Sequence, residues 1–235
     1  MNRKITLITG ASRGIGLCAA KKFIDEGFHV VAVARSIEDL EKLDNYAKTQ
    51  NDAITIVPLD ICNLEKVNEL GYKIYEKFGV VDVFIANASI LGGCMPITHY
   101  TYETWHKVIT TNLTSHWVLL RSIHQLLRLS KAGRVIATYD CESEQSRAFY
   151  GLYDITKAGL KSLIKTYAYE NLNSNIKANL LYPGIKNTKL RSEAFPNIKI
   201  SDIEPNVADL FLKLSDETLQ KSGEVFYCDH LEKVR

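Results

Sequence analysis

Runs of β-branched and aliphatic residues recur along the chain, separated by longer stretches in which apolar positions return at helical spacing. Lys4 to Ile8, His29 to Ala34, Ala53 to Pro58, Val81 to Ala86, Arg134 to Thr138, Ile176 to Leu181 and Glu224 to Tyr227 read as strands. Leu17 to Glu26 reads as a helix, as do the stretches 36–49, 63–78, 101–129, 150–172 and 204–215. Strands separated by helices of this length need crossover connections, and crossovers give a parallel sheet covered on both faces. The pattern therefore predicts an α/β chain with a doubly wound sheet. No repeat, low-complexity tract or linker interrupts it, so one domain over 1–235 is expected. Gly184 to Pro205 alone is long and without periodicity, which makes it a candidate substrate lid.

Composition narrows the function classes. A chain of 235 residues with 46% hydrophobic content can bury a sizeable core. Its formal charge of +2 and scattered lysines argue against a nucleic-acid or membrane-surface partner. The first strand begins almost at Met1 and no apolar run is long enough to span a bilayer, so a cytoplasmic protein is expected. Cys18, Cys62, Cys94, Cys141 and Cys228 are odd in number and widely spaced, as expected of reduced thiols rather than a disulfide framework or a zinc site. The histidines also lack ligand spacing; His99, His106 and His116 are expected to decorate one helix and its approach, and no metal is predicted.

Two segments carry chemistry. The first strand runs into Thr9-Gly10-Ala11-Ser12-Arg13-Gly14-Ile15-Gly16 and then a helix. Gly10 permits a sharp exit from the strand, Gly14 lets backbone amides approach a pyrophosphate, and Gly16 lets the helix pack closely on the sheet. The helix N-terminus then receives the anion. Far along the chain, Tyr153 and Lys157 lie four residues apart on a predicted helix and share one face. An ammonium beside a phenol, whose pKa is ordinarily about 10, suits it to general acid–base work.

With these two motifs in order and Asn112 between them, the chain resembles the short-chain dehydrogenase/reductase family over essentially its whole length. Smaller marks agree: Asp60 ends the third strand, Asn87-Ala88-Ser89 stands where the family has Asn-Ala-Gly, and Pro183-Gly184 followed by Thr188 matches Pro-Gly-x-x-x-Thr. The resemblance implies a Rossmann-type sheet of about seven strands in the order 3-2-1-4-5-6-7. It implies a nicotinamide cofactor along Gly10, Ser12, Arg13, Gly14, Ile15, Gly16, Arg35, Ser36, Asp60, Ile61, Asn87, Ala88, Ser89, Pro183, Gly184, Ile185 and Thr188, with Tyr153 and Lys157 at its reactive end. It also implies a small carbonyl or alcohol substrate. Tyr153 would protonate the carbonyl oxygen, Lys157 would also hold ribose hydroxyls, and Asn112 would anchor a water.

Charge separates the cofactors, because an acidic residue after the second strand suits a ribose hydroxyl whereas arginine suits a 2′-phosphate. Here Arg35-Ser36 follows that strand and Arg13 sits in the glycine turn, so NADP(H) is favoured, with NAD(H) the alternative. One position departs from the family. Its catalytic serine lies 13 residues before the tyrosine, where this chain has Asp140; Ser143 and Ser146 come later. An ionised Asp140 at about 4 Å would oppose Lys157 by roughly 4 kcal/mol at an effective dielectric near 20. A protonated one would donate the missing hydrogen bond, with activity rising below neutral pH.

Three roles follow: an NADPH-dependent carbonyl reductase, a cofactor-binding sensor with weak or no catalysis, and a structural protein. A β-ketoacyl carrier-protein reductase is a further enzyme reading, weakened by the ending Tyr227-Cys228-Asp229-His230 in place of Asp-Gly-Gly. A short lid with Phe195, Ile198 and Ile200 favours small aldehydes or ketones. The resemblance implies a homodimer or homotetramer. Tyr100, Tyr102, Trp117, Tyr167 and Tyr169 are candidate contacts, with Trp105 expected in the core.

Overall fold

Seven parallel strands lie in the order β3-β2-β1-β4-β5-β6-β7, as the resemblance implied. They are β1 (Ile5–Thr9), β2 (His29–Ala34), β3 (Ile54–Pro58), β4 (Val83–Ala86), β5 (Arg134–Thr138), β6 (Lys177–Tyr182) and β7 (Val225–Tyr227). The computed structural model describes residues 3–50, 52–140, 147–184, 186, 188–194 and 205–228. Register pairs Ile5 with His29, Thr6 with Val83, and Arg134 with both Val83 and Lys177, so the carboxyl ends of the central strands share one edge.

Alternation along each strand divides the interior in two. Ile5, Leu7, Val31, Val33, Phe84, Val135 and Ala137 point to one core, under α3 (Leu64–Phe78), α5 (Ser115–Leu129) and α6 (Gly151–Glu170). Ile8, Val30, Ala32, Ile85 and Ile136 point to the other, under α1 (Gly14–Asp25), α2 (Ile37–Gln50) and α8 (Pro205–Leu214). The central strands bury both faces, which is why they read as unbroken apolar runs. The edge strands β3 and β7 stay partly exposed.

The predicted helix over 101–129 is not one regular helix. It comprises α4 (Tyr102–Ile109), a π-helical turn at Thr110–Thr114, and α5. Three threonines and an asparagine in Thr110-Thr111-Asn112-Leu113-Thr114 favour the helix weakly and offer side-chain hydrogen bonds that compete with its backbone. This break re-phases α4, whose buried residue is Val108. Trp105, expected in the core, is 37% exposed as a result. His116 departs from expectation in the other direction, being buried beneath the sheet's carboxyl edge rather than displayed on a helix surface. Of the aromatic residues, Tyr102, Trp117 and Tyr169 are exposed, whereas Tyr167 is buried and hydrogen-bonded to His124 Nδ1 at 2.8 Å.

A short helix α7 (Lys189–Ala194) lies within the segment expected to be irregular. Phe195, Ile198, Ile200, Cys141, Asp229 and His230 fall outside the described residues. Among the described residues no helix is long and apolar enough to cross a membrane.

Candidate active site

The glycine turn leaves β1 and enters α1 directly. Gly10 N–H donates to Val33 O at 2.8 Å, which ties the turn to β2. A side chain at Gly16 would collide with the Gly10 carbonyl and lie 2.5 Å from Asn87 Nδ2, so the close packing expected there requires glycine. Gly14 has φ +56°, and the nearest atom to an added Cβ is 3.7 Å away, so backbone conformation rather than space selects glycine. Arg13 caps α1 without a side-chain hydrogen bond, and no acidic residue lies in the first turn. The amino end of α1 therefore keeps donors and a positive dipole for an anion.

A cavity of about 470 Å³ opens over the carboxyl edge of the sheet. Gly10, Ser12, Arg13, Gly14, Ile15, Arg35, Ser36, Asp60, Ile61, Asn87, Ala88 and Ser89 line it, together with Asp140, Tyr153, Lys157, Pro183, Gly184 and Thr188. Gly16 and Asn112 do not line it; they support residues that do. Ile185 lies outside the described residues. Arg35 follows β2 and Asp140 follows β5, three strands apart, so the cavity reaches about 14 Å along the sheet edge. The structure adds Asp39 to the arginine-bearing part of the wall, in an ion pair with Lys42 at 2.9 Å. Spacing from the strand end gave no signal for it.

Behind the cavity a hydrogen-bonded frame joins the strand ends. Thr9 Oγ1 accepts from Asn87 N at 3.0 Å and Ala88 N at 3.1 Å, while Asn87 Oδ1 accepts from Thr138 Oγ1 at 3.1 Å. Asn112 is fully buried in the π turn. Its Nδ2 donates to Ile90 O at 2.9 Å and Thr156 Oγ1 at 3.0 Å, and its Oδ1 accepts from Ile90 N at 2.9 Å. Asn112 thus fastens the loop after β4 to the turn of α6 that holds Tyr153 and Lys157. His116 sits below, with Nδ1 3.1 Å from Asn112 O and Nε2 3.3 Å from Thr9 Oγ1. Burial pushes its pKa down to about 4.

Tyr153 and Lys157 are both buried in the cavity wall. Lys157 Nζ lies 5.5 Å from the centre of the Tyr153 ring and donates to Thr138 O at 3.1 Å. Burial pushes the lysine pKa down to about 8, against the upward pull of the Asp140 charge. The aspartate therefore helps keep the ammonium charged. Its own charge is met by Arg147, a residue the sequence reading missed. Arg147 Nη2 lies 3.1 Å from Asp140 Oδ2 and 2.6 Å from Asp154 Oδ1, and the Arg147 amide donates to Asp154 Oδ2 at 3.1 Å. Asp140 Oδ2 thus accepts a hydrogen bond from the guanidinium. Ser143 and Ser146 lie outside the described residues.

The residues fit a dinucleotide. A glycine turn aims a helix amino end at the cavity, two arginines line it, and the Ser89 hydroxyl is buried on its wall without a hydrogen-bond partner. Among the described residues no cluster of three or more His, Cys, Asp or Glu side chains is placed to hold a metal.

Known proteins are similar in sequence and in fold. A sequence model described as short chain dehydrogenase matches residues 4–199. An uncharacterized oxidoreductase of Staphylococcus haemolyticus is 30% identical over 214 residues, covering 90% of each chain. The 3-oxoacyl-acyl-carrier-protein reductase FabG of Escherichia coli is 29% identical over 80% of this chain and 75% of its own. Among solved structures, a short chain dehydrogenase of Escherichia coli complexed with NADPH superposes with a TM-score of 0.90 at 26% identity, covering 97% of both chains.

Proposed function

The chain belongs to the short chain dehydrogenase family, and from that membership we propose that it is an NADP(H)-dependent oxidoreductase acting on a small carbonyl or alcohol, with Tyr153 as general acid and base. One observation carries the reading: the Tyr153 ring and Lys157 Nζ lie 5.5 Å apart in the wall of a cavity that continues to Arg13 and Arg35. NADPH, when bound, supplies the hydride to the carbonyl carbon. Tyr153 gives its phenol proton to the carbonyl oxygen. Lys157 favours the phenolate left behind, and in a buried wall its charge is felt more strongly than in water. The Asn112 carbonyl, already near His116 Nδ1, has a second lone pair for a water that returns the proton. A cofactor phosphate would be received at the amino end of α1, and a 2′-phosphate by the guanidinium groups of Arg13 and Arg35.

The test is NADPH oxidation with a panel of small aldehydes and ketones. We expect Tyr153→Phe to lower kcat by about a hundredfold or more; unchanged turnover would remove the mechanism. Arg35→Ala is expected to reduce the preference for NADPH over NADH about tenfold, and equal use of NADH by the parent would overturn the phosphate assignment. Asp140 in the place of serine favours a second reading, a cofactor-binding sensor with weak catalysis. Tight NADPH binding without turnover on any carbonyl would select it. The FabG similarity favours a 3-oxoacyl substrate as a further enzyme reading, distinguished within the same panel. Exposed Tyr102, Trp105 and Trp117 along α4 and α5 support pairing into a homodimer or homotetramer, which light scattering reads directly.

A further inference from the structure

Asp140 and Asp154 stand on different elements, one just after β5 and the other in the first turn of α6 beside Tyr153. Arg147 touches both, and all three side chains are largely withdrawn from solvent, at 18% exposure for Arg147 and Asp140 and 6% for Asp154. The guanidinium also stacks over Tyr150 at 4.7 Å, and the Tyr150 hydroxyl donates to Ala194 O at 3.3 Å, at the end of α7. A single side chain thereby links the strand that carries the odd aspartate, the helix that carries the phenol and the short helix along the cavity. A fork of this kind fixes carboxylate geometry as well as neutralising charge.

We propose that Arg147 is a positioning residue that allows an aspartate to occupy the serine place, by holding the Asp140 carboxylate turned onto its guanidinium and away from the Tyr153 phenol. The inference rests on the reading of Tyr153 as the proton donor. Asp140 lines the cavity and Arg147 does not, so the carboxylate has the more direct path to the reacting oxygen. Two carboxylates, the guanidinium of Arg147 and the ammonium of Lys157 form a neutral group. Without Arg147 the group is one negative charge in excess, and Asp140 is released toward Lys157 and the phenol. Other charged groups share the wall: Lys186 and Lys189 from the segment after β6, with Arg13, Arg35, Asp39 and Asp60 farther along the edge. Tyr100, from the loop before α4, lies within reach of the Asp154 charge.

The test compares Arg147→Gln in two backgrounds, the parent and Asp140→Ser. If Arg147 acts through Asp140, its loss lowers kcat at least about tenfold in the parent and less than about threefold when no carboxylate is there to release. A residue that only anchors Asp154, or acts by its own field, gives the same loss in both backgrounds, and that result overturns the proposal. Phenolate absorbance gives a readout independent of turnover, with the Tyr153 step identified by its absence in Tyr153→Phe. In the parent, Arg147→Gln should move that step to higher pH by about one unit; in Asp140→Ser, by less than about a third of a unit. Equal movement sinks the proposal. An absence of carbonyl reduction in every protein removes the enzymatic reading alone, since the absorbance comparison still decides on Arg147. Should Arg147→Gln fail to fold, Arg147→Lys serves instead. It keeps the charge but not the fork, and a measurable drop in kcat confined to the Asp140 background is expected.

Discussion

Arg134 opens β5, and Arg147 lies just beyond the strand's other end. Arg134 is 2% exposed and donates to main-chain carbonyls: Nε to Asp216 O at 3.0 Å, Nη2 to Glu217 O at 2.9 Å and Leu219 O at 3.3 Å, Nη1 to Asn175 O at 3.3 Å. Arg147 is directed at carboxylates. Burial lowers the Arg134 pKa; burial opposes Arg147 as well, but its bond to Asp154 and the charge of Asp140 hold its pKa above the ordinary guanidinium value. The same side chain thus closes loops at the amino edge and balances charge at the carboxyl edge. Carbonyl partners convey geometry without altering local charge; carboxylate partners convey both.

Breaking Arg134 should give the largest stability change. Arg134→Met leaves several buried carbonyls without a donor and is expected to cost about 3 kcal/mol in urea unfolding, with kcat/KM of the folded fraction within about twofold of the parent. A selective activity loss would erase the distinction between the two ends. The carboxyl edge should in turn be the acid-sensitive one. His116 has its folded pKa held near 4, below its unfolded value of about 6.5. Its contribution is therefore intact above pH 6.5 and fades as pH falls toward 4. By pH 5 this linkage amounts to about 2 kcal/mol, so the stability of His116→Gln should fall less between pH 7 and pH 5 than that of the parent. Equal slopes would assign the acid sensitivity elsewhere. The smallest effect concerns Lys157, whose pKa near 8 predicts that carbonyl reduction declines as pH rises through that value and the ammonium is lost. Asp140→Ser removes an upward pull on that pKa, and the basic limb should move to lower pH. A shift to higher pH would reverse the role given to Asp140.

Much of the carboxyl edge is legible in the sequence. The strands are buried on both faces and so announce themselves as apolar runs, and the glycine turn and Tyr153–Lys157 pair are local patterns that one element fixes. What escaped depends on contacts between elements. Arg147 meets Asp140 and Asp154 seven residues away on either side, a spacing that shares a face only within one helix, whereas Asp140 follows β5 and Arg147 precedes α6. Asp39 enters the wall because α2 starts immediately beyond Arg35 and Ser36. Trp105 was expected in the core, and the π turn that divides the helix expected over 101–129 is an interruption invisible in residue spacing.

That interruption has a consequence of its own. A π turn holds one residue more than the helix on either side of it, so Thr110–Thr114 acts as an insertion stored inside a helix, equivalent to a rotation of about 100°. Removing any one residue there would shorten the chain by very little, yet it would rotate the whole of α4 against α5 and take the Asn112 amide off Ile90 and Thr156. In this stretch the number of residues is therefore as constrained as the identity of Asn112.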